Sequence, residues 1–570
     1  MDKEAIIGIG ATNTLERVAA SLGGLECINP HFEKMLDVPF GGVLLSLPAL
    51  LSCGLVKDID KHFSLPKGYY GLMSIFILLA FLALARIQSL EGLRYHAPGE
   101  WGKLLGLDRI PEVKTLRSKI KYLSRHGKVE EWGSILCKEW MTASDEILGA
   151  FYIDSHVRVY HGGKTALPKH YVAREKLCLR ATVDYWVNAM DGQPFFVINK
   201  AVDPGLLQVL EHEIVPQLKS LSSNETNSEA NNITLIFDRE GYSPEFMARM
   251  KEQSVACITY HKYPKEPWSE NEFATHQITT CAGNLTNVSL AERGTLLPNK
   301  LWVREVRKKT QTSHQVPIIS TDYKLDLKLI AVKMFSRWCQ ENYFKYMREH
   351  YGLDRLIDYS LEDVSDTTKV VNPEYRRLDG DVRKYNAKLS RARAEFASIH
   401  LKDDIASDKI ELYESKKTEL QATLIDLAAK LVEAKQKRKN TERHISVSEL
   451  PEDQRFKQLS YKSKYLVDTV KMTAYRAETA MTNILRESLK RQNDARSLIR
   501  SIYQTEADII PNLKDETLTV YLHHAANKLS DDAIQNLCHE LNETCTKFPG
   551  TNLRLIYKLG SSQNPRGQDV

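Results

Sequence analysis

The sequence lacks paired cysteines. It has nine cysteines among its 570 residues, and no two of them form a Cys-x-x-Cys motif. This absence argues against a zinc ribbon, and an odd number of dispersed cysteines suits a reducing cytoplasm. The first residues, Met1-Asp2-Lys3-Glu4, include acids where a secretion signal carries bases. We therefore expect a cytoplasmic protein rather than a secreted one.

The chain also lacks a strong net charge and a clear membrane span. Charged residues make up 26% of the sequence, but the formal net charge is only +5. Any affinity for nucleic acid must therefore come from local clusters of bases. An uncharged apolar stretch over 69–85 is near the ~17 residues that a bilayer span needs at minimum. Because the stretch runs on into Arg86 and Glu91 without a break, we predict a buried helix and no membrane contact.

A chain of this length is expected to form several domains, because single cores stop growing near ~250–300 residues. Residues 1–145 predict a helical N-terminal region. It contains a base-rich segment, whose side chains could contact DNA phosphates or simply face solvent. The bases of this segment are Lys114, Arg117, Lys119 and Lys121.

The pattern of apolar residues changes from helical to alternating at residue 150, which indicates strands. Three strand-like segments are followed by a helix, a strand, a helix and a strand, and this order predicts an α/β layer. A β-rich insertion over 262–324 then precedes an apolar helix at about Leu325–Tyr351. The predicted elements of the layer are 150–160, 177–187, 194–202, 205–221, 233–237, 245–253 and 256–260.

Three acids stand out in this part of the chain. Asp154 lies within the first strand, Asp238 directly follows the fourth, and Glu341 is on the apolar helix. Acids on two neighbouring strands and a packed helix can hold two divalent metals ~3.5–4 Å apart, an arrangement that serves phosphoryl transfer. Hard oxygen ligands suit Mg²⁺ or Mn²⁺. Each acid could instead be a separate cap or ion-pair partner, but the combination favours a catalytic site.

Bases accompany Glu341 at helical spacing. Arg337, Glu341, Lys345 and Arg348 follow the pattern i, i+4, i+8, i+11, so on a helix they form a single stripe. The neighbouring Trp338 is predicted to lie in the core. An acid among bases on an apolar helix indicates a functional role for that helix.

Residues 152–154, 235–242 and 337–345 resemble the sequence blocks of bacterial insertion-sequence transposases. These are enzymes of the DDE class, and they have a ribonuclease H-like catalytic domain. The β-rich insertion before the glutamate helix is similar to that of the cut-and-paste branch. The resemblance implies a ribonuclease H-like domain over 146–355, with 262–324 as its insertion.

The cut-and-paste branch carries a Tyr-x2-Arg-x3-Glu-x6-Lys signature around its glutamate. Arg337 and Glu341 match this signature. Met334 stands where the tyrosine belongs, and Arg348 stands where the lysine belongs. The match to the signature is therefore partial.

The resemblance implies a DNA transposase that cleaves element ends and joins the freed 3′-hydroxyl to target DNA. Asp154, Asp238 and Glu341 would bind two Mg²⁺ or Mn²⁺ ions, with Glu240 as a reserve ligand. The implied partners are terminal inverted repeats, target duplex and a second copy of the chain, and the implied location is the bacterial nucleoid. Lys345 is an alternative to Arg348, and Arg239 could simply cap or pair with a neighbour. The candidate DNA-binding residues are Arg337, Lys345, Arg348, His156, Arg158 and Arg239.

The chain beyond residue 356 becomes helical and charged. Apolar residues recur in heptads over 378–396 and again over 420–434, which predicts a coiled-coil helical hairpin within 356–450. Residues 451–570 predict a mainly helical region with a late strand over 553–557. These helices and their basic clusters support an alternative, a DNA-binding or scaffold protein without catalysis. The predicted fold class is multidomain, α/β plus all-α.

Overall fold

A computed structural model describes residues 10–143, 149–222, 233–280, 285–355, 357, 360–399 and 407–561. The described residues divide into two compact units. The larger unit takes its residues from 1–160, 170–360 and 459–570, and the smaller unit from 161–169 and 361–458. The four regions proposed from the sequence remain a prediction.

The N-terminal part of the larger unit is helical, as predicted. The apolar stretch forms α4, in which every residue from Ser74 to Leu84 is buried. A helix that is apolar on all faces is stable only when protein surrounds it. Among the described helices, none combines the length and apolarity that a bilayer span requires. The elements of this part are α1 (Thr14–Ser21), β1 (Met35–Val38), α2 (Leu47–Ser52), α3 (Ile59–His62), α4 (Leu72–Leu84), α5 (Pro98–Lys103), α6 (Val113–His126) and α7 (Val129–Thr142).

A mixed sheet of ten strands follows, in the order β3-β4-β2-β6-β7-β11-β10-β9-β8, with β5 also paired to β4. The predicted strands and helices are present in the predicted order, and one further strand, Lys169–Val172, lies between the first two. The central strands β2, β6 and β7 run parallel to one another, whereas β4 is antiparallel to β2 and β5. The elements are β2 (Ala150–Val159), β3 (Lys169–Val172), β4 (Leu177–Asn188), β5 (Pro194–Lys200), α8 (Leu206–Val209), α9 (Val215–Ser222), β6 (Ile233–Phe237), α10 (Pro244–Glu252) and β7 (Val255–Tyr260).

The insertion before the glutamate helix is β-rich, as predicted. Its last strand pairs antiparallel with β7, so the insertion extends the same sheet. Its strands are β8 (Ala274–Thr279), β9 (Leu285–Leu296), β10 (Trp302–Lys309) and β11 (Gln315–Ser320).

The prediction of a single helix over about Leu325–Tyr351 is wrong, because the chain forms two helices there. Helix α11 spans Leu327–Phe335 and α12 spans Trp338–Tyr351. The apolar residues of α11 pack with Tyr152 and Ile236 on one face of the sheet. Those of α12 join the main core, which includes Ile153 on the opposite face. One straight helix could not bury its apolar residues in two separate cores.

The C-terminal part of the larger unit is organised around a buried helix, α15. Its residues from Ser463 to Glu478 are all buried, and it packs against α2, α4, α6, α7 and β5. A sheet in the order β1-β16-β17-β18 joins the two ends of the chain. Only the last of these strands was predicted. The elements are α15 (Lys462–Ser488), α16 (Ala495–Gln504), β16 (Ala507–Asn512), β17 (Thr517–Leu522), α17 (Lys528–Glu543) and β18 (Arg554–Leu559).

The smaller unit contains two long helices that pack on each other. Val382 and Leu389 of the first helix form a cluster with Leu431 and Ala434 of the second, as the heptads predict. Residues 400–406, between the two heptad segments, lie outside the described residues. The elements are β12 (Leu361–Glu362), β13 (Lys369–Val371), α13 (Pro373–Ser398), α14 (Ser407–Asn440), β14 (His444–Ser446) and β15 (Gln458–Leu459).

Candidate active site

Asp154 and Asp238 are brought together by the pairing of two parallel strands. Ile153 of β2 is in register with Phe237 of β6, so each acid follows one residue after this pair. The Asp154 carboxylate accepts a hydrogen bond from the Ser155 backbone N–H (2.8 Å). The Asp238 carboxylate accepts one from the next N–H along its chain (2.7 Å) and so begins the turn that ends β6. The two acids therefore lie side by side on the central strands.

Glu341 reaches the same place because its neighbour Gln340 fixes the first turn of α12. The Gln340 side chain is fully buried. Its amide nitrogen lies 3.2 Å from the Tyr152 carbonyl, 3.3 Å from the Trp186 carbonyl and 2.9 Å from Asn188 Oδ1. These acceptors belong to β2 and β4, so the helix start is attached to the strand that carries Asp154. No pattern in the sequence indicates this role, because a glutamine within a helix is usually exposed.

A tight turn supports the same helix start from the other side. Gly192 adopts φ +88°, in the left-handed region that favours glycine. A Cβ added there would lie 2.8 Å from the Cys339 carbonyl oxygen. Asn188 Nδ2 donates to the Gly192 carbonyl (2.8 Å), which connects this turn to the contact made by Gln340.

The three acids meet around one guanidinium. Arg337 Nη2 lies 2.6 Å from Glu341 Oε1 and 4.0 Å from Asp238 Oδ2, and its Nη1 lies 3.8 Å from Asp154 Oδ2. Only 12% of the Arg337 side chain is exposed. The three predicted acids and the predicted arginine are therefore neighbours, although Asp154 and Glu341 are 187 residues apart in the sequence.

The electrostatic environment of Asp154 sets it apart. Burial raises the pKa of Asp154 to about 6, even though Arg337 and the Ser155 N–H act in the opposite direction. The nearby Asp238 raises this pKa further. A carboxylate with this elevated pKa is stabilised in its charged form by added positive charge. Three convergent carboxylates that already attract a guanidinium offer the hard oxygen donors that suit Mg²⁺ or Mn²⁺.

The remaining candidate residues divide into exposed and buried ones. Lys345 and Arg348 are exposed on α12, and Arg239 is exposed beside Asp238. His156 Nε2 lies 2.5 Å from Asp354 Oδ1, and its ring stacks on Phe344. Arg158 is buried in an ion pair with Asp184, with Nη2 2.8 Å from Oδ1. Contact of these residues with DNA remains a prediction, but His156 and Arg158 already have partners inside the protein.

The prediction that Trp338 lies in the core is wrong. About 65% of this residue is exposed, at the start of α12. The break between α11 and α12 turns it outward, since the two helices bury different faces. Trp186, in contrast, is fully buried on β4.

A second cluster of potential metal ligands lies in the four-stranded sheet. Among the described residues, one group of His, Cys and acids has its ligand atoms all within 4.8 Å of one another: Asp37, Asp508 and His523. His523 Nε2 is 3.2 Å from Asp508 Oδ1 and 3.7 Å from Asp37 Oδ1. The contacts of His523 with the two carboxylates account for this geometry without a metal. The three acids of the candidate site are more widely spaced, because Arg337 lies among them.

Comparison with known proteins gives one finding about the family. A family profile with the description "Transposase protein" matches residues 8–561. No curated protein matches the sequence.

Proposed function

Since that match covers nearly the whole chain, the chain belongs to this transposase family, and from this membership we propose a metal-dependent DNA transposase of the DDE class. It cleaves DNA at the ends of a bacterial insertion sequence and transfers the 3′-hydroxyl to target DNA. The observation that carries the proposal is the convergence of Asp154, Asp238 and Glu341 on one guanidinium. The sequence blocks around these acids support the same class.

We propose a ribonuclease H-like fold for the catalytic domain, residues 146–355. The order β5-β4-β2-β6-β7, with the acids on the adjacent central strands β2 and β6, supports this fold. The regions 1–145, 356–450 and 451–570 would then supply further DNA contacts and contacts to a second copy. Inverted repeats, target duplex and a homodimer on DNA belong to this proposal, as does a location at the nucleoid.

In the proposed mechanism, Asp154, Asp238 and Glu341 hold two Mg²⁺ or Mn²⁺ ions. When bound, the ions activate the attacking water or 3′-hydroxyl and stabilise the leaving oxygen. Gln340 keeps the Glu341 carboxylate next to β2. Arg337 exchanges its carboxylate partners for a phosphate of the DNA, for which its planar fork is suited.

The exposed bases of α12 complete this arrangement. Lys345 and Arg348 project from the helix that carries Glu341, four and seven residues further along. At a rise of ~1.5 Å per residue, they lie ~6 and ~10 Å along the axis from Glu341. This spacing allows contact with DNA phosphates next to the one that reacts.

The proposal is tested by changing Asp154, Asp238 and Glu341 singly to Ala. Each change should lower metal-dependent cleavage and strand transfer by about 100-fold or more, because each removes a metal ligand rather than a residue that supports one. The control is Glu349→Ala, which removes an exposed acid from the same helix and should keep full activity. Wild-type activity in any triad variant would remove that residue from the site. DNA binding without any metal-dependent cleavage would favour the scaffold alternative.

A further inference from the structure

A buried carboxylate lies behind the helix that carries Glu341. Glu478 of α15 is fully buried, and it accepts hydrogen bonds from four side chains, which belong to two other helices and the end of α4. Tyr351 Oη donates to Glu478 Oε2 at 2.7 Å, and Arg86 Nη2 donates to the same oxygen at 2.6 Å. Arg496 Nη1 lies 3.2 Å from Glu478 Oε1. Tyr346 Oη also donates to Oε1. One carboxylate therefore connects segments that are far apart in the sequence.

Two of these donors belong to α12 itself. Tyr346 and Tyr351 follow Glu341 by five and ten residues, so they lie ~7.5 and ~15 Å further along the axis. The C-terminal half of the helix is thus bonded to α15 at two points. The N-terminal end is held separately by Gln340 on β2 and β4. These two attachments leave α12 little freedom to slide or rotate.

The charges around Glu478 keep it ionised. Burial alone would raise the pKa of this carboxyl, but Arg86 and Arg496 hold it below its usual value. Both guanidiniums also contact aromatic rings of α12: Arg86 lies 4.7 Å from the centre of the Tyr351 ring, and Arg496 lies 5.0 Å from that of Tyr346. Each Glu478 oxygen accepts from one tyrosine hydroxyl and one guanidinium, so the four donors together fix the geometry around a buried charge.

We propose that Glu478 is a positioning residue for the metal site: through Tyr346 and Tyr351 it holds α12 so that Glu341 stays in place beside Asp154 and Asp238. This inference rests on the proposed function, because it assumes that Glu341 is a metal ligand. Glu478 is fully buried, so its role in this proposal is to hold α12 and not to bind metal or DNA itself. Groups of this kind affect metal affinity through the orientation of the ligands, with typical effects of about 10–100-fold.

The test uses the tyrosines, because changing Glu478 would leave two buried arginines without their acid. The variants are Tyr346→Phe, Tyr351→Phe and the double variant, all in the full chain. The matched control is Tyr557→Phe. Tyr557 is also buried and donates one hydrogen bond, to the Leu44 carbonyl (3.0 Å), but it lies on β18 rather than on α12. The Tyr557→Phe variant should lower the free energy of unfolding by an amount similar to that of the other tyrosine variants, without moving α12.

The readout is Mn²⁺ binding to the protein, measured from the electron paramagnetic resonance signal of the Mn²⁺ that stays free. The Asp154→Ala variant serves as the blank, because it measures the ions that bind elsewhere on the protein. The double variant should bind Mn²⁺ about 10-fold more weakly than wild type, and each single variant should fall between them. Tyr557→Phe should bind like wild type.

Wild-type Mn²⁺ affinity in both single variants, together with a stability loss like that of Tyr557→Phe, would overturn the inference and leave Glu478 a structural group only. The single variants decide the question even where the double variant fails to fold. Wild-type protein with no more bound Mn²⁺ than Asp154→Ala would instead overturn the proposed metal site, and the inference with it.

Discussion

At the scale of single residues, Arg337 determines the electrostatics of the site. Its guanidinium lies within 4.0 Å of one oxygen from each of the three acids. Three carboxylates without this cation would repel one another in a partly buried space. The same side chain is suited to a DNA phosphate once other cations balance the acids. We therefore propose that Arg337 serves both the stability of the site and the binding of DNA.

The raised pKa of Asp154 predicts how the protein's stability depends on pH without metal. The folded pKa of about 6 exceeds the usual value of 3.8, so ionisation of Asp154 destabilises the folded state as pH rises through this range. The variant Asp154→Asn cannot ionise. Its free energy of unfolding, relative to wild type, should increase between about pH 4 and pH 6 and become constant above that. Urea unfolding in EDTA at several pH values measures this difference, and a difference independent of pH would contradict the prediction.

Replacing Arg337 tests its second role. In Arg337→Ala, the dependence of DNA affinity on salt should become weaker by about one unit of slope, because one phosphate contact is lost. Fluorescence anisotropy over a range of salt concentrations measures this slope. Lys547→Ala removes an exposed base remote from the three acids in the sequence and should leave the slope unchanged. An unchanged slope in Arg337→Ala would exclude it from phosphate contact.

At the scale of elements, the site depends on where α12 begins. Gln340 attaches its first turn to β2 and β4, and the turn at Gly192 lies directly against Cys339. Helix α12 thus starts at a point fixed by the sheet rather than by a capping side chain, since Arg337 makes no capping hydrogen bond.

This arrangement predicts that Gly192→Ala lowers the free energy of unfolding. The new Cβ would meet the Cys339 carbonyl oxygen at 2.8 Å, and a left-handed φ is unfavourable for alanine. We expect a loss of about 1–3 kcal/mol in the free energy of unfolding, together with reduced cleavage. The control is Gly163→Ala, where a Cβ meets nothing within 4 Å. Equal stability of the two variants in urea would show that the turn does not constrain α12.

The sequence predicted the strands well and the helix break poorly, for a physical reason. Strands such as Ala150–Val159 and Ile233–Phe237 show in the sequence because their apolar pattern is local. The break at Ser336 and Arg337 does not, because both helices are apolar and only the tertiary structure assigns them to different cores. The exposure of Trp338 follows from that break.

The candidate site, like the fold, was predictable only in part. Asp154 and Asp238 could be paired from the strand order, and Glu341 from its helix. The supporting residues could not be predicted, because Gln340 and Glu478 carry no pattern of their own. Their roles depend on contacts between distant segments.

At the scale of the whole molecule, the two ends of the chain contribute to one unit. Strand β1, at Met35–Val38, pairs with β16 at Ala507–Asn512, and α15 packs against four of the N-terminal helices. Strands β16 and β17 were missed; they pair with each other, and β16 also pairs with β1, about 470 residues earlier in the chain. The apolar helix α4 is also part of this core. Arg86 follows the end of this helix and donates a hydrogen bond to Glu478. The parts outside the sheet therefore support the helix that carries Glu341.

The central claim is that Asp154, Asp238 and Glu341 jointly hold divalent metal for cleavage of DNA. The most direct measurement is the number of Mn²⁺ ions bound per chain in the presence of DNA, in wild type and in the three alanine variants. We expect two bound Mn²⁺ ions in wild type that depend on these acids. Every variant should bind fewer Mn²⁺ ions while it retains DNA binding. The same number of ions in wild type and all three variants would contradict it.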